Sequence, residues 1–157
     1  MKALVTYFSA SGVTKDLAIK ISRAISADLV EIVPENLYTK EDLDWTKQTS
    51  RSTIEMKDKA SRPQVKNKIL NINDYRLILV GFPIWWYREP SIIDTFLESY
   101  DFTDKKVILF ATSGGSGISG AINNTKTLKG HPNVVDGKRL NPSISEKEIK
   151  EWLDKYL

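Results

Sequence analysis

Residues 2–14 read Lys-Ala-Leu-Val-Thr-Tyr-Phe-Ser-Ala-Ser-Gly-Val-Thr, and the change of pattern inside them decides the fold. Lys2–Phe8 is a short apolar run rich in β-formers, which predicts a strand buried on both faces. From Gly12 the period changes. Val13, Leu17, Ile21 and Ile25 recur every four residues and lay one apolar stripe on a helix reaching about Ser26. The same alternation continues along the chain. Asp28–Val33 predicts a second strand ended by Pro34, and Arg76–Gly81 and Lys106–Ala111 predict two more buried strands. A helix from about Ser91 to Tyr100 lies between those two, with Ile92, Ile93, Phe96 and Leu97 on one face.

Beyond Gly120 a polar segment to Leu128 predicts another helix, and Asn133–Val135 a last short strand. Asp136-Gly137 is a turn signal, so this strand is expected to continue as a hairpin-like excursion through Arg139-Leu140. Ser145 and Glu148 form a capping box before a closing helix whose buried face is Ile149, Trp152, Leu153 and Tyr156. Glu35 to Asp74 is polar, with weak helical stretches near Glu41–Lys47 and Thr53–Lys59 and a break at Arg62-Pro63. It is expected to be a crossover with one or two helices, the alternative being a mobile lid. Strands alternating with helices predict an α/β doubly wound parallel sheet of five strands in a single domain, 1–157. In that architecture ligands sit beyond the carboxyl ends of the strands.

Composition removes several function classes. The 157 residues contain no cysteine and one histidine, His131, which excludes disulfide scaffolds, thiolate or His-rich metal sites, iron–sulfur clusters and cysteine nucleophiles. A net charge of +3, spread along the chain, argues for no nucleic-acid partner. The apolar run Leu77–Tyr87 is interrupted by Gly81 and Pro83 and is too short to span a bilayer, and no signal-peptide core follows Met1. A soluble cytoplasmic protein without a membrane partner is the expectation.

Three loops follow strands. Ser9, Ala10, Ser11, Gly12, Val13 and Thr14 place hydroxyls and a glycine at a helix N-terminus, a cradle for phosphate; the simpler reading is that Ser11 or Thr14 only caps the helix. No Walker A loop is present, and Phe8 and Ser9 stand where a receiver domain needs acids. Pro83, Ile84, Trp85, Trp86 and Tyr87 put three consecutive aromatics at a strand's end, suited to stacking on a flat ligand or, alternatively, to core and oligomer contacts. Thr112, Ser113, Gly114, Gly115, Ser116 and Gly117 offer backbone groups to the edge of a planar ligand. Gly115–Gly120 also matches the dinucleotide fingerprint GxGxxG with Asp136 downstream, although only 37 residues follow Gly120. Ser116 fails as a hydrolase elbow, because Ile118 stands two residues after it. A phosphate cradle, an aromatic stack and a glycine edge together predict FMN.

On KALVTYFSASGVT, DYRLILVGFPIWW, VILFATSGGSG and the weaker VVDGKRLN, the sequence resembles the flavodoxin family over nearly its whole length. That resemblance implies a flavodoxin-like sheet of order 2-1-3-4-5 carrying one non-covalent FMN. It implies that Ser9, Ser11, Gly12 and Thr14 hold the phosphate, Pro83 to Trp86 flank the isoalloxazine with Trp85 stacking, and Ser113 to Gly117 contact its polar edge. It further implies an electron carrier, monomer or homodimer, served by a redox partner protein, a reductase or an acceptor. The alternatives are a small FMN-dependent NAD(P)H:quinone-type oxidoreductase and a non-redox FMN-binding interaction module. No catalytic side chain is expected. Two departures stand out: the chain is basic, with pI near 9.0, and Tyr87 and Arg88 follow the tryptophans where relatives often have Gly. Arg88 is expected to bring a cation near the flavin edge, unless it pairs with Glu89 or points into solvent.

Overall fold

The computed structural model describes residues 2–157. Its strands are β1 (Ala3–Tyr7), β2 (Asp28–Glu31), β3 (Leu77–Pro83), β4 (Lys106–Thr112) and β5 (Val134–Arg139), and its helices α1 (Val13–Ile25), α2 (Arg51–Lys57), α3 (Ser91–Glu98), α4 (Ser119–Thr125) and α5 (Glu146–Leu153). The strands pair in parallel in the order β2-β1-β3-β4-β5. Two-residue alternation then sorts the core into two layers. Leu77 and Leu79 of β3 join Ile108, Phe110 and the stripes of α1 (Leu17, Ala18, Ile21) and α5 (Ile149, Leu153). Ile78, Val80 and Phe82 face the opposite way, onto Ile92, Ile93, Phe96 and Leu97 of α3 and Ala121 of α4. Helices on both faces leave the strand ends as the free edge of the sheet.

Three expectations change. β2 is shorter than Asp28–Val33 because its continuation pairs with the returning crossover instead. Pro34 and Val65 form an antiparallel bridge, Lys66 N donates to Val33 O at 2.7 Å, and Asn67 Oδ1 accepts from Val33 N at 3.0 Å. The crossover carries one helix, α2, and a 3-10 turn at Ile72–Asp74, whereas Glu41–Lys47 forms only turns. Asp136-Gly137 makes no turn. β5 runs straight through it, with the register slipping between Val107↔Val134 and Ile108↔Asp136. Gly137 packs closely under Ile122, whose Cδ1 would lie 2.7 Å from a Cβ there and would have to move. Asp136 anchors the closing helix: its Oδ2 accepts from Trp152 Nε1 at 3.0 Å and from Tyr156 OH at 2.8 Å. The capping box holds, with Ser145 Oγ accepting from Glu148 N at 3.1 Å.

Candidate functional site

The loop leaving β1 is shaped almost entirely by its own backbone. Gly12 caps α1 in the left-handed region (φ 93°), which a side chain there would resist. Ser9 Oγ accepts from Gly12 N at 3.1 Å and Lys15 N at 3.2 Å. Among the described residues, the N–H groups of Ala10, Ser11, Val13 and Thr14 find no partner, which leaves four free donors at the positive end of a thirteen-residue helix. Ser11 and Val13 are exposed, and Ser9, Ala10 and Gly12 are half-buried. Thr14 does not cap α1 through its side chain. It is buried, and its hydroxyl lies 2.9 Å from that of Thr112 at the end of β4. That contact fastens the first loop to the third.

The loop after β3 folds differently. Trp85 N donates to Arg88 O at 3.0 Å and Arg88 N to Trp85 O at 3.1 Å, closing a two-residue turn. Its central residues, Trp86 (φ 47°) and Tyr87 (φ 67°), are both left-handed, the arrangement that a type I′ turn usually gives to Asn-Gly. Trp85 is half-buried, edge-on to Phe8 at 5.6 Å and Tyr38 at 5.5 Å between ring centroids. Trp86 and Tyr87 are exposed. The Tyr87 carbonyl seats against Gly120, where a Cβ would come within 2.2 Å of it. This accounts for one glycine of the dinucleotide-like fingerprint by packing, and the Trp152 and Tyr156 contacts occupy Asp136, its supposed ribose partner.

After β4, Ser113 Oγ accepts from Gly115 N at 3.1 Å and Ser116 N at 2.9 Å, so these two donors are spent within the loop. Gly114, Gly115 and Gly117 are exposed, and Ser113 and Ser116 half-buried. Ile84 N donates to Thr112 O at 2.9 Å, tying the second loop to the third. The three loops therefore meet over β1, β3 and β4. Beside the second and third loops opens a cavity of about 290 Å³ lined by Ile84, Trp85, Trp86, Tyr87 and Ser116 on one side and by Leu43, Trp45 and Ser52 on the other; the first loop does not line it and joins this end of the sheet through Thr14 and Thr112.

That second wall comes from the crossover and was missed in the sequence. Its only local signal is a large exposed aromatic, Trp45, in a polar stretch. Tyr38, also missed, packs on Phe8 at 5.5 Å and lies beneath the Arg51 guanidinium at 3.8 Å. Burial pushes its phenol pKa up, and its hydroxyl bonds Glu55.

Arg88 turns inward instead of presenting a free cation. Its Nη1 lies 3.6 Å from Glu89 Oε1 and 3.4 Å from Asp94 Oδ2. Pairing with Glu89 was the alternative expectation, and it is the arrangement found.

Comparison with known proteins agrees with this architecture. The sequence pattern of one family, described as flavodoxin, matches residues 2–156. The chain is similar to a Bacteroides eggerthii protein assigned as a flavoprotein, at 43% identity over 98% of this chain and 96% of that one, with a TM-score of 0.93. A Bacteroides uniformis protein assigned likewise is 44% identical over 98% and 97%, with a TM-score of 0.91. A Lactobacillus acidophilus flavoprotein, solved in complex with FMN, is 27% identical over 96% and 97%, with a TM-score of 0.75. No curated protein matches the chain. A family pattern running from β1 to the closing turn, on a sheet ordered 2-1-3-4-5, leaves one assignment: the chain belongs to the flavodoxin family.

Proposed function

We propose that this protein binds one FMN non-covalently across its three loops and works as an electron carrier between partner proteins. The observation that carries the reading is the convergence of a donor-rich helix N-terminus and an aromatic-walled cavity, joined through Thr14–Thr112 and Ile84–Thr112. The free N–H groups of residues 10, 11, 13 and 14 suit a phosphate dianion. Trp85, Trp86 and Ile84 offer apolar surface to a flat ring, with Ser116 at its edge. Leu43 and Trp45 close the far side and limit water there. FMN supplies the redox chemistry when bound, and this chain supplies binding, orientation and electrostatics. The flavoprotein similar to this chain was solved with FMN, which supports the cofactor.

The visible spectrum of the purified protein tests the first half: flavin absorption that survives gel filtration is expected, and a colourless protein that fails to quench added FMN overturns it. The second half is tested by reduction through a ferredoxin-type reductase. Rapid reduction without turnover of NAD(P)H and a quinone supports the carrier, and steady NAD(P)H oxidation replaces it with an oxidoreductase. No helix among the described residues is long and apolar enough to cross a membrane.

A further inference from the structure

Directly behind the aromatic turn lies a polar cluster contributed by four segments. Arg88 and Glu89 leave the turn, Asp94 and Glu98 come from α3, Arg62 from the crossover and Asn124 from α4. Glu89 and Asp94 are 0% and 1% exposed. Arg62 makes its best pair with Glu98, Nε to Oε1 at 2.7 Å, and only reaches Asp94 at 3.8 Å. Two cations, Arg88 and Arg62, thus face three carboxyl groups, Glu89, Asp94 and Glu98, and the cluster has one carboxyl more than it has cations. Glu89 and Asp94 each also have one oxygen in use and one idle. Glu89 Oε1 accepts from Asn124 Nδ2, and Asp94 Oδ2 faces Arg88. Glu89 Oε2 and Asp94 Oδ1 are buried without any partner.

A proton on one of the two groups removes the excess charge and turns an idle acceptor oxygen into a donor. Two neighbouring carboxylates cut off from water do not both stay ionised, and a buried acceptor without a donor is costly. We propose that Glu89 and Asp94 hold one proton between them at neutral pH, Glu89 as the acid and Asp94 as the carboxylate, and that this proton keeps the Trp85–Arg88 turn in its ring-binding position. The positioning role rests on the proposed FMN reading, and the shared proton does not. Burial, followed by the Asp94 hydrogen bond and charge, pushes Glu89 up to about 9. Burial raises Asp94 as well, but Asp94 Oδ2 lies within reach of two guanidinium groups, Arg88 at 3.4 Å and Arg62 at 3.8 Å, whereas Glu89 has Arg88 alone at 3.6 Å, which leaves the proton on Glu89. Removing the proton would set two anions side by side next to the turn, and the yielding element is the turn, whose left-handed Trp86 and Tyr87 already resist their conformation. Glu89 and Asp94 are thus positioning residues that act through Arg88.

The sign follows from linkage. Between the ordinary glutamate value of 4.5 and about 9, the folded protein holds a proton that the unfolded chain has lost, so stability falls as pH rises through that window. The experiment uses the full chain and its Glu89→Gln variant, whose amide keeps the hydrogen bond to Asp94 without a titrating proton. Infrared spectra of the apoprotein at neutral pH should show a neutral carboxylic-acid band that the variant lacks. Wild-type tryptophan emission should shift between pH 6 and 9.5, and FMN affinity should weaken by roughly tenfold, the scale of one pH unit of linkage. The variant should show neither change. Absence of the acid band overturns the shared proton. A band with pH-independent emission and affinity overturns the positioning role. A band and an emission shift with no FMN binding at any pH overturns the cofactor reading while leaving the pair in place. Should Glu89→Gln fail to fold, the wild-type band itself serves: it should fade as pH rises through about 9, and a band that pH does not change overturns the shared proton.

Discussion

The loops after β1 and β3 sit side by side in the same site and are stabilised in opposite ways. The first places its left-handed residue at Gly12 and takes its remaining order from Ser9 Oγ and the start of α1. Its turn is set within seven residues, and one distant contact, Thr14 to Thr112, fastens it to the third loop. The second places left-handed conformations at Trp86 and Tyr87, which gain nothing locally from them. It is held by Gly120 against the Tyr87 carbonyl, by Phe8 and Tyr38 against Trp85, and by Glu89 and Asp94 around Arg88. A phosphate site can be built from local backbone because its ligand is a compact anion that backbone donors recognise. A ring site needs large surfaces at a set tilt, and those must be braced from elsewhere in the fold.

If this contrast is right, damage to the second loop should spread and damage to the first should stay local. Trp85→Ala is expected to act most strongly. It removes an aromatic contact to both Phe8 and Tyr38 and costs about 3 kcal/mol of stability, the low end for a Trp→Ala change because the ring is only half-buried. FMN binding falls with it. Thermal unfolding and FMN titration check both, and loss of affinity at unchanged stability would show a stacking ring that braces nothing.

Ser11→Ala with Thr14→Ala removes two hydroxyls from the phosphate end, each worth about 1.5–3 kcal/mol where a charged partner is involved. FMN affinity should drop much more than riboflavin affinity, because riboflavin has no phosphate. Separating the two changes sharpens the comparison. Ser11 is exposed and should act on FMN alone, whereas Thr14, bonded to Thr112, should also lower stability. Equal losses for the two ligands would mean that the loop only caps its helix.

Gly12→Ala forces a side chain into the left-handed region at a cost of about 1–2 kcal/mol, and nothing lies within 4 Å of the added Cβ to enlarge it. Its effect should be confined to α1 and the phosphate end, with Trp85 emission unchanged. The smallest effect has the opposite sign. Tyr87→Gly relieves one left-handed residue and should stabilise by about 0.5–1 kcal/mol, the conformational penalty less the extra entropy that Gly carries in the unfolded chain. Destabilisation there would show that the exposed ring contributes more than its backbone strain costs.

Apolar patterning was enough for the architecture: β1, β3 and β4 are short continuous apolar runs, and α1, α3 and the capped α5 are apolar stripes of helical period. Buried strands and amphipathic helices carry that signature in a handful of contiguous residues, and the hydroxyl and glycine loop after β1 is as local. The order of the strands came from the resemblance to a family, not from the pattern, because a stripe shows which face is buried and not which neighbour buries it. Tertiary contacts decided the rest. Asp136-Gly137 reads as a turn, yet Ile122 packs closely on its glycine and the closing helix binds its aspartate. Gly115–Gly120 reads as a dinucleotide fingerprint, yet Gly120 serves the Tyr87 carbonyl. Arg88 reads as a surface cation and is held inside by Glu89 and Asp94. Leu43 and Trp45 carry no periodic signal and become a wall of the site only when the crossover folds back through Pro34 and Val65. Except for Arg88, whose pairing with the adjacent Glu89 was one of the sequence expectations, each role is set by a partner distant along the chain, and local pattern contains no term for a partner that only folding brings near.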